Sequence, residues 1–139
     1  MDRRDLVEFL RQHRYAVQAS VSSQGKPQAA TVGIAVSDNL EIIFDTLKST
    51  RKYENLKKNP AISFVVGGDG EQTIQYEGIA DEPEGSELER IRKIYFSVFP
   101  DGKDRLGWPL IVHIRVRPAW IRYSDYRAAE AVIEEITDF

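Results

Sequence analysis

Between Thr46 and Lys58 the sequence reads TLKSTRKYENLKK, an order of residue types suited to holding an anion. Ser49 and Thr50 stand just before Arg51 and Lys52, at what reads as the start of a short helix over 49–59 that is stopped at Asn59-Pro60. Cations in a first helical turn oppose the helix dipole, at a cost of roughly 0.3–1 kcal/mol each, so a helix shaped for stability alone would carry Asp or Glu there. An anion seated at that end removes the conflict. The free N–H groups of the first turn point outward, arginine grips a phosphate with two parallel donors, lysine adds a point charge, and hydroxyls donate further bonds. The plainer reading is a solvated basic helix with Ser and Thr as ordinary caps. The strand before it favours the anion site: over 27–36, Ala30, Val32, Ile34 and Val36 share one face, while Ala29, Thr31, Gly33 and Ala35 leave the other face small enough for a flat ligand to approach the backbone.

The charge distribution sharpens the contrast. Residues 48–58 hold five Lys/Arg against one acid in a chain of net charge −3, and the last fifteen residues carry five acids against one arginine. One basic island in an acidic protein, without an aromatic ladder, argues against a nucleic-acid surface, and the net charge gives no general attraction to anionic membrane. The chain has no cysteine, which excludes disulfides, thiolate nucleophiles and cysteine-held metals. His13 and His113 are the only histidines, too few for a three-histidine metal site in one chain. Neither has a Ser and Asp arranged around it as a hydrolytic triad. The GGDG at 67–70 lacks the spacing of a dinucleotide-binding loop and reads as a hairpin. The charged N-terminus MDRRDLVEFLRQHR resembles no export signal, and no apolar run approaches the ~20 residues of a bilayer-spanning helix, so a cytoplasmic location is expected.

With 139 residues, 42% of them hydrophobic, the chain suits one domain over 1–139. Leu6, Phe9 and Leu10 place a helix over 2–13. A period of two from Tyr15 through Val17, Ala19 and Val21 gives a strand over 15–22, followed across tight turns by strands over 27–36 and 40–46. Strands over 61–66 and 72–81 flank the GGDG turn. Ser86 and Glu89 form a capping-box pattern for a helix with Leu88, Ile91, Ile94, Tyr95 and Val98 on its apolar face, ended by Pro100. A last strand runs over about 109–123, interrupted by Pro118, with His113, Arg115 and Arg117 alternating on what reads as its solvent side. Asp81 and Glu82 read as solvated strand-end charges. The acidic tail is left either mobile or crossing to a partner's basic island. Six strands with short turns and few helices predict a mainly β fold with flanking helices, a six-stranded antiparallel barrel.

From about Tyr15 to Tyr126 the chain resembles the pyridoxamine 5'-phosphate oxidase-like FMN-binding split barrels, in particular the short single-domain relatives that include general stress proteins. The resemblance is carried by "GKPQAATVGIAVSDNLEIIFDTLKSTRKYENLKKNPAISFVV", then "QYEGIADE", "YFSVFPDG" and "VRPAWIRYSDY". It implies that Thr50, Arg51 and Lys52 grip the FMN phosphate, that Asp45 and Thr46 approach the flavin ring from a strand end, and that Ala30, Thr31 and Val32 lie along the isoalloxazine. It further implies that Gln72 or Thr73 reaches the flavin of a partner subunit, so that a homodimer builds two shared sites.

Departures from the family pattern narrow the activity. Full-length pyridoxamine phosphate oxidases carry an arginine where this chain has Ala30, and end on an Arg-x-His substrate-phosphate motif, whereas no histidine follows His113 here. Oxidation of pyridoxamine phosphate is therefore not expected. The resemblance implies a flavin-dependent oxidoreductase acting on a small diffusible substrate. The alternatives are a flavin-binding stress or sensor protein without turnover, and a deazaflavin-dependent reductase, since deazaflavin also offers a phosphate. Heme, which related barrels bind, is disfavoured by the shortage of histidine.

Overall fold

The computed structural model describes residues 1–139. Helix α1 (Arg3–Arg11) starts at a reciprocal capping box between Asp2 and Asp5 and buries Leu6, Val7, Phe9 and Leu10. The strands are β1 (Tyr15–Val21), β2 (Pro27–Gly33), β3 (Ala35–Val36), β4 (Ile42–Leu47), β5 (Ala61–Gly67), β6 (Gln72–Asp81), β7 (Ile111–Asp125) and β8 (Val132–Ile136). Helix α2 (Arg51–Lys58) joins β4 to β5, and helix α3 (Gly85–Val98) with a run of 3-10 turns (Pro100–Gly107) joins β6 to β7.

All pairings are antiparallel, in the order β2-β1-β5-β6-β7-β4-β3, with β8 added to β7. β2 and β3 are consecutive pieces of one stretch, separated only by Ile34, so the two ends of this order meet and the sheet curls into a split barrel. The six expected strands therefore appear as seven segments. The eighth is the acidic tail, which the sequence left unassigned: it pairs along Ile121–Asp125, and Glu134 accepts a 2.7 Å hydrogen bond from the Met1 amine. Pro118 is accommodated by a register shift between Glu77 and Gly78, opposite Trp120 and Pro118. The barrel interior is a cluster of 24 buried residues, with Phe44, Phe64 and Tyr76 in edge-on contact at its centre.

Outside the barrel, α3 covers β4 and β7, and this layer corrects three readings. His113 and Arg115 do not face solvent: they are 1% and 4% exposed, beneath α3, and only Arg117 is open. The alternation was legible, but the helix that covers that face comes from elsewhere in the chain. Asp81 is not a solvated end charge. It takes both Nε and Nη2 of Arg115, at 2.9 and 2.6 Å, while Nη1 of Arg115 donates to Glu87 at 2.6 Å. Glu82 accepts from the Tyr53 hydroxyl at 2.8 Å. Arg90 adds a two-bond grip on buried Glu41, which Ser37 also donates to. Burial works to raise the Glu41 pKa, but the bonds from Arg90 and Ser37 hold it below the ordinary value. Ser86 does not cap α3. The helix begins one residue earlier, at Gly85 with φ 62°, after an N-cap Glu84 whose side chain makes no cap bond. The acid that matters in that turn is Glu87, drawn to the arginines. Phe99, just past α3, fills the space over Gly33, where a Cβ would come within 2.7 Å of its ring. Gly33 and Ala35, which packs in the same cluster as Phe99, are thus the half of the small-residue face of 27–36 that is small for packing.

His113 makes this layer acid-sensitive. Its Nδ1 accepts from Arg92 Nε at 3.4 Å, so the neutral ring carries its hydrogen on Nε2, which is buried without an acceptor. Burial first, then the Arg92 guanidinium, pushes its pKa down from 6.5 to about 4, with Arg105 acting the same way and Asp45 opposing. The unfolded chain therefore binds this proton more tightly, and stability that is full above pH 6.5 falls as the pH drops toward 4. The gap corresponds to about 3 kcal/mol. Urea unfolding of the native chain and a His113→Leu variant checks this: between pH 7 and 4.5 the native chain should lose about 2–3 kcal/mol more than the variant. Parallel pH profiles would assign the acid sensitivity to other groups.

Candidate phosphate site

The start of α2 is built by two threonines. Thr50, the N-cap, donates its hydroxyl hydrogen to Leu47 O at 2.8 Å and accepts from the Tyr53 amide at 3.4 Å. Thr46 lies 3.2 Å from the Thr50 oxygen; since a hydroxyl has one hydrogen and Thr50 has spent it, Thr46 is the donor. This locks the strand end to the helix start and leaves the amides of Arg51 and Lys52 without a backbone acceptor. Neither side chain joins any ion pair. Arg51 is exposed, whereas Lys52 is half-buried and burial lowers its pKa below the ordinary lysine value.

These groups open onto a cleft of about 370 Å³ lined by Ser49, Thr50, Arg51 and Lys52 on one side and by Gln18, Ser20, Gln28, Ala29 and Ala30 on the other. The register explains the second wall: Gln18 stands opposite Ala30, and Ser20 opposite Gln28, so all four share the sheet face toward α2. Asn55, one turn into α2, reaches across at 3.0 Å to Ser20 Oγ and 2.9 Å to Gln28 Oε1. The arrangement offers orphan amides, two unpaired cations, hydroxyls and carboxamides around one anion-sized opening, the donor set for a phosphate monoester.

Of the residues singled out in the sequence, Ala30, Thr50, Arg51 and Lys52 line this cleft, and Thr46 stands directly behind it. Val32 turns inward and is buried in the barrel, while Thr31 is exposed on the opposite side of β2. Asp45 lies on the other face of β4 from Thr46, held at 2.8 Å by Arg105 Nε under α3. Gln72 and Thr73 sit at the hairpin end of β6, where Gln72 donates to the Tyr123 hydroxyl at 2.7 Å; neither lines the cleft. Sequence reasoning missed Gln18, Ser20, Gln28 and Asn55. The apolar pattern of the sequence pointed the other way. On β1 the buried positions are Ala16, Gln18 and Ser20, while Tyr15 and Val17 point outward, so the polar half of the alternation faces inward.

The family model for pyridoxamine 5'-phosphate oxidase matches residues 3–125. No curated protein matches the chain. Among solved structures, a heme-binding protein from Mycobacterium smegmatis superposes with a TM-score of 0.83 at 15% identity over 99% of this chain, which spans only 58% of that longer one. A pyridoxamine 5'-phosphate oxidase-related, FMN-binding protein from Nostoc punctiforme gives 0.66 at 14% identity, covering 98% of this chain and 91% of that one. General Stress Protein 26 from Bacillus anthracis gives 0.69 at 22% identity, over 87% of this chain and 92% of that one. At these identities the likeness extends to the fold.

Proposed function

The chain belongs to the pyridoxamine 5'-phosphate oxidase family, and on that footing we propose that it binds FMN and serves as a flavin-dependent oxidoreductase for a small, unidentified substrate. The observation that carries the reading is the cleft at the start of α2, where Arg51, Lys52 and two unbonded amides face an opening with no anion of the chain's own to satisfy them. Arg51 supplies the two-donor grip, Lys52 a charge partly shielded from water, and Thr46 and Thr50 hold the helix end in place. Bound there, FMN would supply the hydride and electron chemistry. The cleft's own ionisable side chains are the two cations, so the chain's part is to anchor and orient rather than to shuttle protons. Ala30 in the cleft wall leaves a substrate phosphate without the arginine of the pyridoxamine phosphate oxidases, so that vitamer is not the substrate we propose.

Heme, bound by the Mycobacterium smegmatis neighbour, fits these residues poorly. His113 is sealed under α3, and neither it nor His13 lines the cleft. The absorption spectrum of the purified protein, with the mass of the cofactor released on denaturation, tests the assignment. Flavin bands and the mass of FMN support it; an intense heme band, or a deazaflavin mass, overturns it.

We place the protein in a homodimer. Tyr15, Val17 and Val65 form an exposed apolar strip on the outer face of β1 and β5, with Val17 and Val65 directly paired. A second copy laid on this strip would cover it, and Gln72 and Thr73, which do not line the cleft of their own chain, are the residues we propose for a partner's cleft. Light scattering should give the mass of two chains for the native protein and of one for a Val17→Glu, Val65→Glu variant. A native monomer binding FMN at full stoichiometry would dismiss the shared site.

A further inference from the structure

Gln18 is the one carboxamide of the cleft that the chain does not use. It is 1% exposed, it lines the cleft beside Ala30, and its Oε1 is buried with no hydrogen-bond partner. Its neighbours satisfy one another instead: Asn55 donates to both Ser20 and Gln28, and leaves Gln18 out. A buried amide without a partner is costly, and in native proteins such a group is met by a water or a ligand. Its setting supports the ligand. The strand position opposite is Ala30, whose methyl leaves room above the amide, and the unbonded amides and cations of the α2 start lie across the same cleft.

We infer that Gln18 reads the hydroxylated chain next to the phosphate of the bound cofactor, accepting a hydrogen bond from a ribityl hydroxyl through its carbonyl while its NH₂ donates toward the phosphate. This rests on the proposal that FMN occupies the cleft. The chemistry follows from the group. A carboxamide carries an acceptor and two donors on one planar end, whereas the free amides and cations at the start of α2 only donate. A phosphate takes donors only; a polyol phosphate presents hydroxyl hydrogens as well, and the buried, unpartnered carbonyl of Gln18 is an acceptor set to receive one. The terminal torsion of glutamine is soft, so the amide can turn toward an arriving ligand without leaving its rotamer.

The test compares FMN with a flavin phosphate in which an unsubstituted pentyl chain replaces the ribityl chain, keeping ring and phosphate. Both are titrated into the full apo-chain by quenching of flavin fluorescence. The native protein should prefer FMN by about three- to tenfold, the range expected for one hydrogen bond. Gln18→Met, close in shape and without donor or acceptor, should reduce that preference to below about twofold. Gln18→Glu separates the two ends and serves if the methionine variant does not fold. It keeps an acceptor and places a charge near the phosphate, so both flavins should bind at least about tenfold more weakly while FMN remains preferred. A native chain indifferent to the hydroxyls, a methionine variant that keeps the preference, or a glutamate variant that loses it overturns the inference, and a water then satisfies Gln18. Failure of the native chain to bind either flavin is a different result: it removes the FMN assignment itself.

Discussion

Replacing Arg51 and Lys52 together by alanine is expected to weaken FMN binding by about a hundredfold to ten-thousandfold. Each charge-assisted contact to a phosphate contributes about 1.5–3 kcal/mol, and every 1.4 kcal/mol is a factor of about ten. Arg51→Ala alone should cost about ten- to a hundredfold, and Arg51→Lys less, because it keeps the charge and gives up the two-donor fork. Riboflavin, which has the ring and the hydroxyls but no phosphate, should bind the native and doubly substituted chains within about threefold of each other. Fluorescence titration of both flavins into apo-protein measures this. Native-like FMN affinity in the double variant would remove the cleft as the phosphate site.

The same substitutions should not harm the apo fold. Arg51 and Lys52 have no protein partner, and both stand where the positive end of the helix dipole opposes them. Removing them should leave the thermal midpoint of the apo-chain unchanged or raise its stability slightly, by about 0.3–1 kcal/mol. The opposite signs of the two effects separate a binding role from a structural one: residues kept for the fold alone would lose stability on substitution and leave FMN binding intact.

What the sequence made legible was local. The Thr50-Arg51-Lys52 run could be placed at a helix start because capping residues and helix-stopping Asn59-Pro60 lie within ten residues of it, and α2 begins at Arg51 with Thr50 as its cap. The strand periods were equally readable, since alternation is a property of neighbours. What one side chain meets across the fold was not. Ser20 and Asn55 come together because β1 and α2 are brought side by side by the curl of the sheet, 35 positions apart in the chain. Which face of β1 is inside could not be read from its apolar residues, because the outward face carries Tyr15 and Val17 and the inward face lines a polar cleft. His113 and Arg115 looked like a solvent face for the same reason: α3, which covers them, precedes β7 by a run of 3-10 turns whose path no local pattern specifies.

Arg115 is where that covering layer is most exposed to damage, and Arg115→Met is expected to destabilise the protein by about 1–3 kcal/mol, less than the loss from a fully buried pair because water still reaches Asp81 and Glu87. Its side chain, 5% exposed, gives three hydrogen bonds to Asp81 and Glu87 and lies 3.7 Å from Glu41. The bond to Asp81 above all keeps its pKa above the ordinary arginine value. Methionine fills much of the volume but leaves three carboxylates facing one another with only Arg90 between Glu41 and Glu87. Neutralising the stranded acids as Asp81→Asn and Glu87→Gln in the same chain should therefore recover part of the loss, which a simple packing defect would not allow. The network is on the face of β4 and β7 away from Thr46, so the molecules that remain folded should bind FMN within about twofold of native affinity. Urea unfolding with flavin titration below the transition checks both halves. A cost under about 1 kcal/mol would show that the network is solvated and not the clamp that holds α3 to the barrel.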